Sequence, residues 1–96
     1  MITAVVLISC ATDQIPEAAQ AVSEIEGVSE CYSVAGDADL VAMVRVHAHD
    51  ELADVIAGHI SKVPGVLSTN TMIAFRAYSR HDLEAAFAIG YESTEQ

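Results

Sequence analysis

The sequence contains one pattern twice, and this internal repeat limits the folds that the chain can adopt. In the first copy, Asp13 precedes a segment with helical spacing of apolar residues, and Gly27-Val28 opens a β-like segment. In the second copy, Asp50 precedes the helical segment and Gly65-Val66 opens the β-like one. An apolar run precedes each copy. Two strand–helix–strand units in tandem predict the element order βαββαβ.

The first unit consists of a strand, a helix and a second strand. Apolar, mostly β-branched residues over 2–11 predict the first strand. Apolar residues then recur at helical spacing over 14–26, with Pro16 suited to the first turn, and Gly27 is expected to end this helix. Residues 28–35 predict the second strand.

The second unit begins with a hairpin. The segment Gly36-Asp37-Ala38-Asp39 is a turn signal that joins the second strand to a third over 40–46. Asp50 is expected to cap a second helix, which Pro64-Gly65 ends. Residues 66–78 predict the fourth strand. The expected buried stripe of the second helix consists of Leu52, Val55, Ile56, Ile60 and Val63.

These elements predict an α+β protein of ferredoxin-like fold, of the kind found in dimeric α/β barrels. Because βαβ crossovers are right-handed and a hairpin joins the two units, we expect a four-stranded antiparallel sheet with both helices on one face. A length of 96 residues allows one small domain, which we assign to residues 1–80. Residues 81–96 form a tail in which apolar spacing over 81–89 predicts a short docked helix.

The sheet face without helices is also apolar. The third strand alternates between a core-facing set and a second set that contains Val41 and Met43, and the first strand carries Val5 and Leu7 on its second side. When one face of an antiparallel sheet is exposed to solvent, the side chains on that face are usually polar. We therefore expect this face to pack on a second copy in a homodimer.

The charge balance argues against direct binding to nucleic acid or membranes. The chain has 14 acidic and 4 basic residues, for a formal net charge of −10, and no run of Lys or Arg could follow a phosphate backbone. The apolar start over 2–11 is too short for a membrane span and lacks the basic flank of a signal peptide.

Cys10 and Cys31 have no metal or redox spacing, which is consistent with a reduced cytoplasmic protein.

Two segments together resemble a known family. The first is Cys31-Tyr32-Ser33-Val34-Ala35-Gly36-Asp37-Ala38-Asp39-Leu40, and the second is Pro64-Gly65-Val66-Leu67-Ser68-Thr69-Asn70-Thr71. Their order and spacing resemble the effector-binding (RAM) domain of the Lrp/AsnC, or feast/famine, transcriptional regulators, over roughly residues 3–78. Family members usually carry an N-terminal helix-turn-helix domain, whereas Met1 lies one residue before the first strand. The resemblance is therefore to a stand-alone RAM protein.

The resemblance implies a regulatory, non-enzymatic module that needs no cofactor. It implies dimers that assemble into octamer or decamer rings, an amino-acid effector bound between dimers, and a full-length Lrp/AsnC regulator as a further partner. The turn could offer backbone N–H groups to the effector's carboxylate and an aspartate to its ammonium. The expected ligand-binding residues are Gly36, Asp37, Ala38, Asp39, Leu40, Ser68, Thr69 and Thr71.

Three other interpretations are open at this stage. Cofactor-independent monooxygenases and related isomerases share the βαββαβ order, but such an enzyme needs a titratable group in a pocket between helices and sheet. His47 and His49 could share a metal at the end of the third strand, although no third ligand is evident and an exposed loop pair is the simpler interpretation. Residues 36–39 could also be only a hairpin turn.

Overall fold

A computed structural model describes residues 1–78 and confirms the βαββαβ order. The strands are β1 (Ile2–Cys10), β2 (Val28–Ser33), β3 (Leu40–Val46) and β4 (Val66–Ile73). The helices are α1 (Ile15–Ser23) and α2 (His49–Gly58), and a short 3₁₀ turn (Ile60–Lys62) follows α2. The expected tail helix over 81–89 and the boundary at residue 80 lie outside the described residues.

The four strands form one antiparallel sheet in the order β2-β3-β1-β4. The central strands β1 and β3 pair from Ile2↔Val46 to Ile8↔Leu40. Strand β4 pairs with β1, and the register shifts where Ser9 pairs with Ser68 but Cys10 pairs with Val66, so Leu67 is the extra residue. The first strand of each unit is therefore central, and the second is an edge.

The core lies between the helices and one face of the sheet. Strands β1 and β3 alternate between buried and partly exposed residues, as a sheet with one covered face must. Among the described residues the core contains no buried polar or charged side chain. Its members are Ala4, Val6, Ile8, Cys10, Ala18, Val22, Leu40, Ala42, Val44, Val46, Leu52, Val55 and Ile60.

The two units end their helices in the same way. Gly27 follows α1 with φ +100°, and Gly65 follows α2 and its 3₁₀ turn with φ +96°. Left-handed backbone of this kind strains a residue that has a Cβ atom, so glycine is required at both turns. The matched glycines confirm the repeat that the sequence shows.

Several predicted boundaries were wrong by a few residues. Helix α1 ends at Ser23 rather than residue 26, because 24–27 form the turn into β2. Asp50 does not cap α2: the N-cap is Ala48, and Asp50 lies in the first turn, where a carboxylate favours the helix dipole. Ile60 belongs to the 3₁₀ turn rather than to α2. Strands β2 and β4 end at Ser33 and Ile73, short of residues 35 and 78.

Candidate functional site

The hairpin loop between β2 and β3 is fixed to the end of β1. The carboxylate Oδ2 of Asp39 accepts a hydrogen bond of 2.8 Å from the backbone N–H of Cys10. The backbone N–H of Asp39 donates to the carbonyl of Ile8 at 2.9 Å, and the N–H of Val34 donates to the carbonyl of Asp39 at 3.0 Å. Asp39 thus bonds to β1 through both its side chain and its backbone and holds the loop against that strand.

The tip of this loop is exposed. Gly36 has φ +142°, and no heavy atom lies within 4 Å of the position that a Cβ would occupy. Within residues 1–78, the N–H groups of Gly36, Asp37 and Ala38 donate to no acceptor. The loop therefore presents unused donors beside the carboxylate of Asp37, which is exposed.

A small pocket of about 180 Å³ lies between this loop and strand β4. It is on the open face of the sheet, by which we mean the face that the helices do not cover. Its lining residues are Leu7, Ser9, Asp37, Ala38, Ser68, Thr69 and Asn70. Thr69 pairs with the buried Ile8, so its side chain lies on the helix-covered face. The pocket combines the carboxylate of Asp37, the hydroxyls of Ser9 and Ser68 and the amide of Asn70 with the apolar side chains of Leu7 and Ala38. This set of groups is suited to a small polar molecule that has an apolar part.

The structure brings four of the eight expected residues together at this pocket: Asp37, Ala38, Ser68 and Thr69. The other four do not line it. Leu40 is fully buried in the core, and Asp39 holds the loop as described above. Thr71 pairs with the buried Val6, so its side chain lies on the helix-covered face. Gly36 is at the loop tip, beyond the lining.

Three lining residues were missed from the sequence. Ser9 and Leu7 lie on β1, outside both segments that resemble the family. Asn70 lies two residues after Ser68, and strand alternation places both side chains on the open face beside β1. That alternation was a usable signal: if Ser68 faces a ligand on a strand, Asn70 does so before Thr69 or Thr71.

The cysteine next to the pocket is a core residue. Cys10 is 4% exposed, and burial raises the pKa of its thiol, with the nearby Asp39 carboxylate raising it further. A protonated, buried thiol is a poor nucleophile. Cys31 is partly buried, and burial raises the pKa of its thiol as well. The chemistry of the pocket therefore comes from hydroxyl, amide and carboxylate groups.

The open face beyond the pocket is an apolar patch with a polar edge. Val5, Leu7, Val41 and Met43 are cross-strand neighbours on β1 and β3, and Met72 adjoins them on β4 with 50% of its surface exposed. We call these five residues the open-face patch. The side chains of the other face are covered by α1 and α2.

The polar edge is a hydrogen-bonded cluster on β2 and β3. The Arg45 Nη1 atom lies 3.2 Å from the Glu30 carboxylate Oε1 and 2.6 Å from the Ser29 hydroxyl. The hydroxyl of Tyr32 donates to the other Glu30 oxygen. The bond from Tyr32, and then that from Arg45, lowers the pKa of Glu30. Ionised Glu30 is thus satisfied locally.

A family model and the curated relatives show which protein family this chain is similar to. The model of the "Lrp/AsnC ligand binding domain" family matches residues 3–83, which is most of the chain. The chain belongs to the Lrp/AsnC family. The resemblance inferred from the two segments is confirmed. The transcriptional regulator LrpA1 of Halobacterium salinarum is 36% identical to this Lrp/AsnC domain over 67 residues, which cover 70% of this chain and 47% of that protein. The chain spans less than half of the curated relatives it matches.

Solved structures agree with the fold of this Lrp/AsnC domain. TTHA0845 from Thermus thermophilus has 45% identity and a TM-score of 0.79, over 83% of this chain and 100% of that one. The feast or famine regulatory protein of Mycobacterium tuberculosis, solved in complex with L-methionine, has 32% identity and a TM-score of 0.70, over 83% and 54%. E. coli AsnC shares the fold, with a TM-score of 0.76 at 20% identity. The predicted ferredoxin-like fold is confirmed.

Two further observations concern metal ions and membrane-spanning helices. Within residues 1–78, no group of three or more His, Cys, Asp or Glu residues is placed to hold a metal ion. No helix in the described part of the chain is long and apolar enough to cross a membrane.

Proposed function

We propose that this Lrp/AsnC domain is a regulatory module that binds an amino acid or a similar zwitterion at the pocket between the 36–39 loop and β4. The observation that carries the proposal is the pocket itself, which places the Asp37 carboxylate and free loop N–H groups beside the Ser68 hydroxyl and the Asn70 amide. A zwitterion needs an acceptor for its ammonium and donors for its carboxylate. Both are present within one site.

Asp37, rather than Asp39, is proposed to accept the effector's ammonium. The Oδ2 atom of Asp39 already accepts a bond from Cys10, whereas Asp37 lines the pocket and is exposed. The N–H groups of the loop and the hydroxyls of Ser9 and Ser68 are proposed to hold the carboxylate. An aliphatic or thioether side chain would then lie against Leu7 and Ala38. The M. tuberculosis relative, which was solved with L-methionine, supports this class of ligand.

A second copy of the chain is proposed to complete the site. The pocket has a volume of about 180 Å³, below the roughly 300–1,000 Å³ of pockets that bury most of a ligand's surface, so one copy of the chain would leave a bound molecule partly exposed. The pocket adjoins the open-face patch, so a copy packed on that patch would lie beside it. We propose that dimers, and rings of dimers, close the site, and that the effector changes this assembly. A full-length regulator of the family is the proposed downstream partner in the cytoplasm.

The enzyme alternative has little support. The curated relatives are transcriptional regulators. An enzyme of the α/β-barrel type would place a titratable group between sheet and helices, and the core formed by the described residues is entirely apolar. We therefore propose a binding function without catalysis. The net charge of −10 also predicts that the chain alone does not retain DNA.

Isothermal titration calorimetry with the twenty amino acids tests the effector proposal. At least one amino acid is expected to bind, and Asp37→Asn should weaken that binding by about 1.5–3 kcal/mol, the value of a charge-assisted hydrogen bond. Asp13→Asn removes the same charge from another exposed aspartate and should leave the affinity unchanged. If no amino acid releases or absorbs heat, the effector proposal is wrong. If the two variants bind equally, Asp37 is not part of the site.

A further inference from the structure

A second, larger groove lies at the opposite end of the sheet. It is about 840 Å³ in volume and is formed where α1 ends, where β3 ends and along α2. Strand β3 separates it from the 36–39 loop by seven residues, which is roughly 20 Å of extended chain. The groove is therefore distinct from the proposed effector pocket.

The groove has an apolar floor and an acidic rim. Ile25 and Val55 contribute to the floor, together with the backbone of Gly27. Four exposed carboxylates stand around them, two from the turn after α1 and two from α2: Glu24, Glu26, Glu51 and Asp54. Within residues 1–78, none of the four forms an ion pair. The rim thus concentrates negative charge that the described part of the chain does not neutralise.

Three side chains with basic groups also line the groove, those of Arg45, His47 and His59, and among the described residues none of them forms an ion pair with the four carboxylates. Arg45 borders the groove, but its Nη1 atom is bonded to Glu30 and Ser29 on β2. Two of the carboxylates have uncharged local partners: Glu51 accepts a bond of 3.2 Å from the His47 backbone N–H, and Glu24 accepts one of 2.8 Å from the Gln20 side chain on α1. Their remaining oxygens face solvent.

We propose that this groove docks a basic segment of another protein, in which apolar residues alternate with Lys or Arg. The apolar side chains would lie on the floor while the cationic groups meet the four carboxylates, a complementarity that sets both specificity and association rate. A second copy of this chain is a poor occupant, because its four basic residues are Arg45, Lys62, Arg76 and Arg80, no two of them adjacent. Nucleic acid is repelled by the rim. A DNA-binding protein, whose surface must be rich in Lys and Arg, fits this chemistry.

Fluorescence anisotropy with a labelled lysine–leucine peptide tests the proposal. The wild-type protein should bind this probe with an affinity that falls as salt is added. The double variant Glu51→Gln/Asp54→Asn should bind about fivefold more weakly, as expected for two exposed charge pairs. Both substitutions keep the shape of an exposed side chain, and Glu51→Gln removes a first-turn charge from α2 just as Glu17→Gln in the control below removes one from α1, so the two double variants should have similar melting temperatures.

A matched control separates the groove from the general acidity of the chain. Asp13→Asn/Glu17→Gln removes the same charge from exposed residues at the other end of α1 and should leave the affinity within about twofold. A lysine–serine peptide, which cannot use the floor, should bind more weakly than the lysine–leucine peptide. Equal losses in the two double variants, equal binding of the two peptides, or no binding at all would overturn the proposal. A failed effector titration would leave it unaffected.

Discussion

Asp39 shows how one side chain can belong to a family motif and have a structural role. The Gly-Asp-x-Asp pattern suggested that both aspartates face a ligand, yet the Asp39 carboxylate turns inward to the Cys10 N–H. That N–H is partly buried at the point where β1 stops pairing with β3, so it needs an acceptor from elsewhere. Asp39 supplies it and thereby fixes the loop that carries Asp37.

The first prediction at this scale concerns stability. Asp39→Ala leaves the Cys10 N–H without an acceptor and should lower the free energy of unfolding by about 1–3 kcal/mol. Asp39→Asn keeps an oxygen at the same place and should cost clearly less. Urea denaturation followed by circular dichroism measures both. Equal stability of the Ala variant and the wild type would show that the bond to Cys10 contributes nothing.

The sequence could predict part of the site. Loop composition and the family motif pointed to Asp37 and Ala38, which line the pocket, and the segment that enters β4 pointed to Ser68 and Thr69, which line it too. The contribution of β1 could not be predicted, because Ser9 and Ser68 become neighbours only through a register that the β4 bulge shifts. Which aspartate lines the pocket was equally hidden, since it depends on the direction of one side chain.

At the scale of the elements, the two helix-ending glycines constrain the fold more than the helix caps do. Neither helix has a side-chain N-cap bond, although Asp50 stood in a suitable place in the sequence. Gly27, in contrast, combines a positive φ with close packing: an added Cβ would lie 2.8 Å from the Val55 Cγ2 atom. The turn from α1 to β2 therefore passes directly beneath α2.

Gly27→Ala is the prediction that follows. Left-handed backbone strain alone costs about 1–2 kcal/mol, and the contact with Val55 adds to it, so the variant should unfold at clearly lower urea concentration. Gly58→Ala is the matched control, because no atom lies within 4 Å of its added Cβ and the position ends a helix. It should be neutral or stabilising by up to about 1 kcal/mol. If the two variants are equally stable, the packing assigned to Gly27 is wrong.

The repeat, the order of elements and the covered sheet face could all be predicted because apolar periodicity records them directly. The ends of the helices and strands were harder to predict from the sequence. Strand β4 stops at Ile73 although Phe75 and Tyr78 continue an apolar pattern, and in the described part of the chain both rings are exposed. Apolar residues that a single chain leaves uncovered look, in sequence, like core residues.

On the scale of the whole molecule, the open-face patch is the feature that a monomer does not explain. Its five side chains, with the half-exposed ring of Tyr32 beside them, form a continuous apolar surface on a sheet whose other face is already packed. Solvated sheet faces are usually polar. The patch also adjoins the proposed effector pocket, so its partner would control access to that site.

The last prediction is that this patch is the dimer interface. Met43→Glu and Val41→Lys each place an unpaired charge at the centre of the patch, where desolvation would cost several kcal/mol. Both variants should shift the protein towards monomer in size-exclusion chromatography with light scattering. Because the two variants change the net charge in opposite directions, dissociation of both could not be attributed to general repulsion.

The control variant is Ala53→Glu, on the exposed surface of α2. It adds a charge away from the patch and should remain dimeric. A dimer that survives both patch substitutions would place the interface elsewhere and would leave the effector pocket open to solvent.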